Sequence, residues 1–251
     1  MGPLRRTFLL LLVILVAASS GCVYWRLLQF KRQLGDFSEH FEFRGEERYG
    51  LVAVHPVLTG SDFDGLMEVE PTGLLRDERG LWRIYEFEKH PADGGEVLAY
   101  DFLFVEDMLV EILFPRQFSE LYPGDSLAEF LRALGGADVA KREKSARSDS
   151  FDAKYIDALP RRELTLRVLG EPSEPPGTCE DGGEFLTYRY RIRTGSIGAK
   201  AEKRRSYGRF FYGKSGELIR VEAGIGDHEL RFDIPRGDSS PGTGGESSDD
   251  R

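Results

Sequence analysis

The chain has 251 residues, 40% of them hydrophobic and 31% charged, with a formal net charge of −9. That length holds one large domain or two small ones, each with a core. The acidity argues against a general nucleic-acid binder, whose affinity rests on neutralising phosphates, and two cysteines, Cys22 and Cys179, cannot build a disulfide framework.

Residues 1–21 read as a signal or anchor. Arg5 and Arg6 precede an uncharged apolar run from Phe8 to Ala18, then Ser19-Ser20-Gly21 and Cys22. A basic flank, a short apolar stretch and small residues make a secretory signal. With a cysteine at the cleavage point, the stretch resembles a bacterial lipoprotein signal, which implies lipid attachment at Cys22, although Ser19 stands where that pattern prefers Leu. The competing reading is an uncleaved anchor, because Phe8 to Trp25 carries no charge and is about long enough to cross a bilayer. Tyr24 and Trp25 would then be interfacial aromatics. A buried soluble helix is the third possibility. Either of the first two tethers the body to a membrane, on the periplasmic or extracellular face of a cell envelope.

Residues 22–36 predict a stalk helix, with Leu27, Phe30 and Leu34 at helical spacing and Gly35 as its stop. Residues 37–122 predict a first α+β unit. Phe37, Phe41 and Phe43 alternate, and Leu51-Val52-Ala53-Val54 is a strand-forming run ended by His55-Pro56. Ser61-Asp62-Phe63-Asp64-Gly65 lacks the later ligands of a calcium loop and reads as a turn or helix start. Trp82 to Phe87, Tyr100 to Phe104 and Leu109 to Ile112, with a Glu106-Asp107 turn, predict three antiparallel strands.

Residues 123–150 predict a helix and a linker. Gly124-Asp125-Ser126-Leu127 spells the motif of GDSL hydrolases, which would make Ser126 the nucleophile of an esterase. A Pro-Gly turn precedes the Ser, however, and His228 is wrongly spaced for its base. Ser126 with Glu129 three residues on matches a capping box instead. Leu127, Phe130, Leu131 and Leu134 give the helix its apolar face, and Gly135-Gly136 end it. The polar stretch from Lys141 to Asp152 reads as the linker.

Residues 151–235 predict a second α+β unit: a short helix from Pro160 to Gly170, then strands Phe185 to Ile192, Arg209 to Tyr212 and Leu218 to Val221. This meander repeats the first about a hundred residues later. Leu164-Thr165-Leu166-Arg167-Val168-Leu169-Gly170-Glu171-Pro172 followed by an aromatic three-stranded meander resembles the SmpA/OmlA small lipoproteins, which include BamE. That fold is similar to the repeated domain of β-lactamase inhibitor protein. The resemblance is best over residues 160–222; Met67-Glu68-Val69-Glu70-Pro71 in the first copy lacks the Leu-Gly pair. It implies two tandem helix-plus-antiparallel-sheet units and a membrane-attached, non-enzymatic module that binds another envelope protein.

Residues 236–251, rich in Gly, Ser and Asp, predict a disordered tail. His40, His55, His90 and His228 are scattered, so no metal site or cofactor is expected, and Glu86, Glu88 and Glu111 are assigned to exposed strand faces. Trp82, Tyr85, Tyr188 and Tyr190 could face a partner, line a ligand groove or fill the core, and Lys203, Arg204 and Arg205 form a basic loop that could touch anionic headgroups. The expected function is therefore a tethered binding or structural protein. A small-ligand or lipid carrier is an alternative that requires an open apolar cavity between helices and sheet.

Overall fold

The computed structural model describes residues 24–90, 97–140, 144–180, 182–193, 205–226 and 228–235. The signal or anchor with Cys22, the basic residues Lys203 and Arg204, and the tail 236–251 lie outside the described residues.

Helix α1 spans 24–35 and the short α2 spans Phe37–His40. Strands β1 (Phe41–Arg44) and β2 (Gly50–Ala53) precede α3 (Gly60–Met67). β3 (Gly73–Arg76) is followed by the first meander, β4 (Leu81–His90), β5 (Val97–Val105) and β6 (Met108–Leu113). Helices α4 (Arg116–Leu121) and α5 (Gly124–Gly136) follow, then β7 (Asp138–Ala140) and β8 (Ser145–Ser148). A 3-10 segment at Ala153–Ala158 leads to α6 (Arg162–Leu169). The second half is β9 (Gly177–Thr178), β10 (Glu184–Ile192), β11 (Arg205–Tyr212), β12 (Leu218–Ile225) and β13 (His228–Asp233).

The strands do not form two small sheets. They join one 13-stranded sheet in the order β1-β2-β6-β5-β4-β10-β11-β12-β13-β8-β7, with β3 on β4 and β9 on β10. This overturns the expectation of two tandem helix-plus-sheet units. The physical reason is that β4 and β10, the first strands of the two meanders, each have a free stretch that the other completes. They pair antiparallel from Phe87↔Ile192 to His90↔Arg189, while β3 and β9 cover the other ends of the same two strands. Left apart, each meander would expose an unpaired edge, a template for aggregation. The polar stretch read as a linker contributes β8, which runs parallel to β13 from Ser145↔Glu229 to Ser148↔Phe232.

Local chemistry explains the individual elements. Glu106 and Asp107 both have positive φ, 49° and 66°, as a two-residue hairpin between twisted strands requires. α3 starts with a capping box: the Thr59 hydroxyl accepts from the Asp62 N–H, and the Asp62 carboxylate accepts from the Thr59 N–H at 2.9 Å. α5 has no such box. Its N-cap is Pro123, and Ser126 sits inside the first turn, donating its hydroxyl to the Pro123 carbonyl at 2.9 Å. Glu129 is committed elsewhere, accepting from Arg132 and, at 2.8 Å, from the Asp152 N–H.

One continuous core lies between the sheet and the helices, running from Leu34 and Phe41 through Tyr85 and Phe102 to Tyr212 and Phe232. The end of α6 is tied to the sheet by Lys89, which donates to the Leu169 carbonyl at 2.7 Å, and by the Tyr188 hydroxyl, which donates to the Gly170 carbonyl at 3.1 Å. A cation at a helix C-terminus also opposes the dipole there.

Candidate functional site

Strand alternation gives the second meander two unlike faces. On the outer face, Arg209 reaches the buried Thr187 and Glu222, Arg220 reaches Asp233 at 3.0 Å, and Arg189 pairs with Glu174, a ladder of polar and opposite-charge pairs. On the inner face stand Tyr188 and Tyr190 of β10, Phe210 of β11, Val221 of β12 and Phe232 of β13.

Large side chains are missing from the middle of that inner face. Gly208 pairs with Ala223 and Ser206 with Ile225, so three small residues lie side by side on neighbouring strands. The helices above leave the gap open. Phe118 and Leu121 of α4, Tyr122 at the bend, and Leu127, Phe130 and Leu134 of α5 roof it over. Phe87 of β4 and Leu98, Tyr100 and Phe102 of β5 extend the floor under the first half. The result is a cavity of about 440 Å³, with the 42% exposed Ile225 at its rim and no charged side chain among its lining residues. Burial pushes the Tyr100 and Tyr122 phenols far above their ordinary range, so both stay protonated.

The residues singled out in the sequence are only partly brought together. Tyr188 and Tyr190 line the cavity. Tyr85 is fully buried against Phe63 and Phe102 outside it, and burial raises its phenol to about 12. Trp82 lies elsewhere, its indole N–H donating to Asp77 at 2.9 Å and the Arg79 guanidinium resting on its ring. As a surface offered to a partner these four fail on exposure, at 7%, 0%, 0% and 8% for Trp82, Tyr85, Tyr188 and Tyr190. Arg205 is exposed at the start of β11. Glu111 is not on an exposed strand face; it is buried and paired with Arg79.

Ser126 is fully buried, and among the described residues its hydroxyl bonds only to a main-chain carbonyl, with no base there to activate it. Ser126→Ala is expected to lower stability by about 1 kcal/mol, because the Pro123 carbonyl keeps the N–H groups of Ser126 and Leu127 as donors. Denaturant unfolding checks this; loss of an ester-cleaving activity with unchanged stability would instead restore the hydrolase reading.

Sequence reasoning missed Gly208, Ala223, Tyr100 and Tyr122. The available signal was a glycine inside an aromatic strand, Ser206-Tyr207-Gly208-Arg209-Phe210, which marks a place where no side chain is wanted.

A second feature joins the body to its N-terminal helix. The Asp62 carboxylate is fully buried and takes both Arg26 contacts, from Nε at 2.5 Å and Nη2 at 2.7 Å. The Arg26 guanidinium holds its pKa down at about 2.

Among the described residues no cluster of His, Cys, Asp or Glu could hold a metal, and no helix is long and apolar enough to cross a membrane. Among the described residues Cys179 forms no disulfide. No family model, curated protein or solved structure matches the chain, so function is read from the site itself.

Proposed function

We propose that the protein is a membrane-tethered, non-enzymatic binding protein of a bacterial cell envelope that takes a small apolar ligand, such as an acyl chain, between the sheet and helices α4 and α5. The observation that carries this reading is the 440 Å³ cavity free of charged lining residues. It lies within the range of small-molecule pockets and is roughly three times an engineered void that binds benzene. The cavity is half open, so water reaches its apolar walls, and an apolar occupant that displaces this water gains the burial of the lining.

The tether is supported by the run from Arg5 to Cys22 and by Trp25, which is 61% exposed at the start of α1, where an interfacial aromatic would sit. No catalytic residue, metal or cofactor belongs to this reading. A second reading, docking of another envelope protein, is favoured by β3, whose Leu74 and Leu75 are 66% and 56% exposed. A strand with exposed leucines accepts a partner segment readily.

Native mass spectrometry of the full chain taken from its own membranes tests the first reading. A fraction of the protein is expected to carry a small apolar molecule that organic solvent removes. Protein that is bare and takes up no alkane when offered one would overturn it.

A further inference from the structure

We infer that the ligand carries an uncharged oxygen acceptor, as in an ester or a protonated carboxyl group, and that the hydroxyls of Tyr100 and Tyr122 hold it. This rests on the cavity being a binding site and adds the chemistry of its occupant.

Other phenols around the cavity have partners. Tyr188 donates to the Gly170 carbonyl at 3.1 Å, and Tyr207 donates to the Glu229 carboxylate at 3.2 Å. Tyr122 is 5% exposed and lines the cavity with Tyr100, yet neither hydroxyl has a hydrogen-bond partner among the described residues. Their rings are held by aromatic neighbours, Tyr100 against Phe114 and Phe118, Tyr122 against Phe118 and Phe130. Phe118 touches both rings, at centroid distances of 5.9 Å and 6.2 Å, so the two phenols are neighbours. Unlike the Tyr85 hydroxyl, which is sealed in the core without a partner, these two belong to side chains that line open space, where a ligand can bring the acceptor that a donor in apolar surroundings lacks.

Neutrality follows from the walls. No Lys, Arg or His lines the cavity, and an ionised carboxylate without a cation is costly to bury. The apolar body has room to run across β4 and β10 toward Ser206 and Ile225, because β5 and β11 are three strand spacings apart, roughly 14 Å.

The test uses the full-length chain, kept soluble in an amphipathic polymer with Nile red bound. Dodecane, methyl dodecanoate and, at about pH 8, ionised dodecanoate compete for the dye. The ester is expected to displace it roughly tenfold better than dodecane, and better than the anion. In the Tyr100→Phe, Tyr122→Phe double variant that advantage should disappear while dodecane competes as before, which also reports that the variant is folded. An ester no better than dodecane, an ester advantage that survives both substitutions, or tighter binding of the anion would overturn the inference and leave the cavity reading intact. Failure of the dye and of dodecane to bind at all would overturn both.

Discussion

Asp62→Ala is expected to destabilise the protein by about 3 kcal/mol. Asp62 is fully buried and does two jobs at once, closing the capping box of α3 with Thr59 and accepting both contacts from Arg26 of α1. Breaking a buried ion pair costs roughly 3–5 kcal/mol because the surviving charge is stranded. Here the survivor is Arg26, whose side chain is 31% exposed and can turn toward water, so the low end applies. Asp62→Asn keeps much of the cap and loses the charge, and should cost less.

The same pair fixes a pH dependence. The carboxylate has a folded pKa of about 2 against an ordinary 3.8. A depressed carboxylate pKa contributes stability that is fully present above the unfolded value and is lost as the pH falls toward the folded one. Urea midpoints of the unsubstituted protein should therefore fall between about pH 4 and pH 2, and the Asp62→Asn variant should show a shallower fall. Equal slopes would show that Asp62 is not the group responsible.

Gly208→Leu is expected to abolish uptake of apolar ligand without unfolding the protein. A Cβ built at Gly208 meets only the Phe210 ring, at 3.6 Å, an ordinary contact, and φ there is not positive. Nothing in the backbone demands glycine; the position is empty because the cavity is there. Gly208→Ala should therefore raise stability by about 0.5–1 kcal/mol, the usual cost of glycine inside a strand relative to alanine, and leave binding measurable. Leucine carries its branched end across the floor beside Ala223 and Tyr188, its cross-strand neighbours. Binding assayed by fluorescence of an apolar dye, with unfolding followed in parallel, separates the two effects. A leucine variant that still binds with undiminished affinity would place the ligand elsewhere. Gly224, one strand over, behaves differently: an added Cβ there would lie 2.3 Å from the Tyr207 ring, so its substitution should lower stability.

Much of the local structure was legible because alternation is a local property. The strands around Trp82, Tyr100 and Phe185, the positive-φ turn at Glu106-Asp107, and the helix ending at Gly170, with φ 64°, all carry their instructions within a few residues. The continuous sheet was not legible. The pairing of β4 with β10 brings residues 87–90 against 189–192, and nothing in either strand distinguishes an edge that will be completed from one that stays open. β7 and β8 were hidden for a related reason: Ser145-Ala146-Arg147-Ser148 has no strong strand preference and is held by β13 alongside it. Likewise, Ser126 three residues before Glu129 satisfied the pattern of a capping box, but Pro123, with its fixed φ of −52°, started α5 earlier. The true box, Thr59 with Asp62, uses a shorter acid than the usual Glu or Gln.

The cavity was the least legible feature, since it is made by what is missing. Ser206, Gly208 and Ala223 are unremarkable in a strand, and only the register that sets them side by side beneath α4 and α5 turns three small residues into a floor. Tyr100 and Tyr122 read as core aromatics for the same reason.

The most direct test of this account is crystallographic. Crystals of the protein grown with a bromoalkane should show anomalous bromine density between α5 and the β10–β12 face, bounded by Gly208, Ala223 and Phe130. Well-ordered crystals in which that space is closed by the surrounding side chains, or in which bromine lies only on the outer surface, would contradict it.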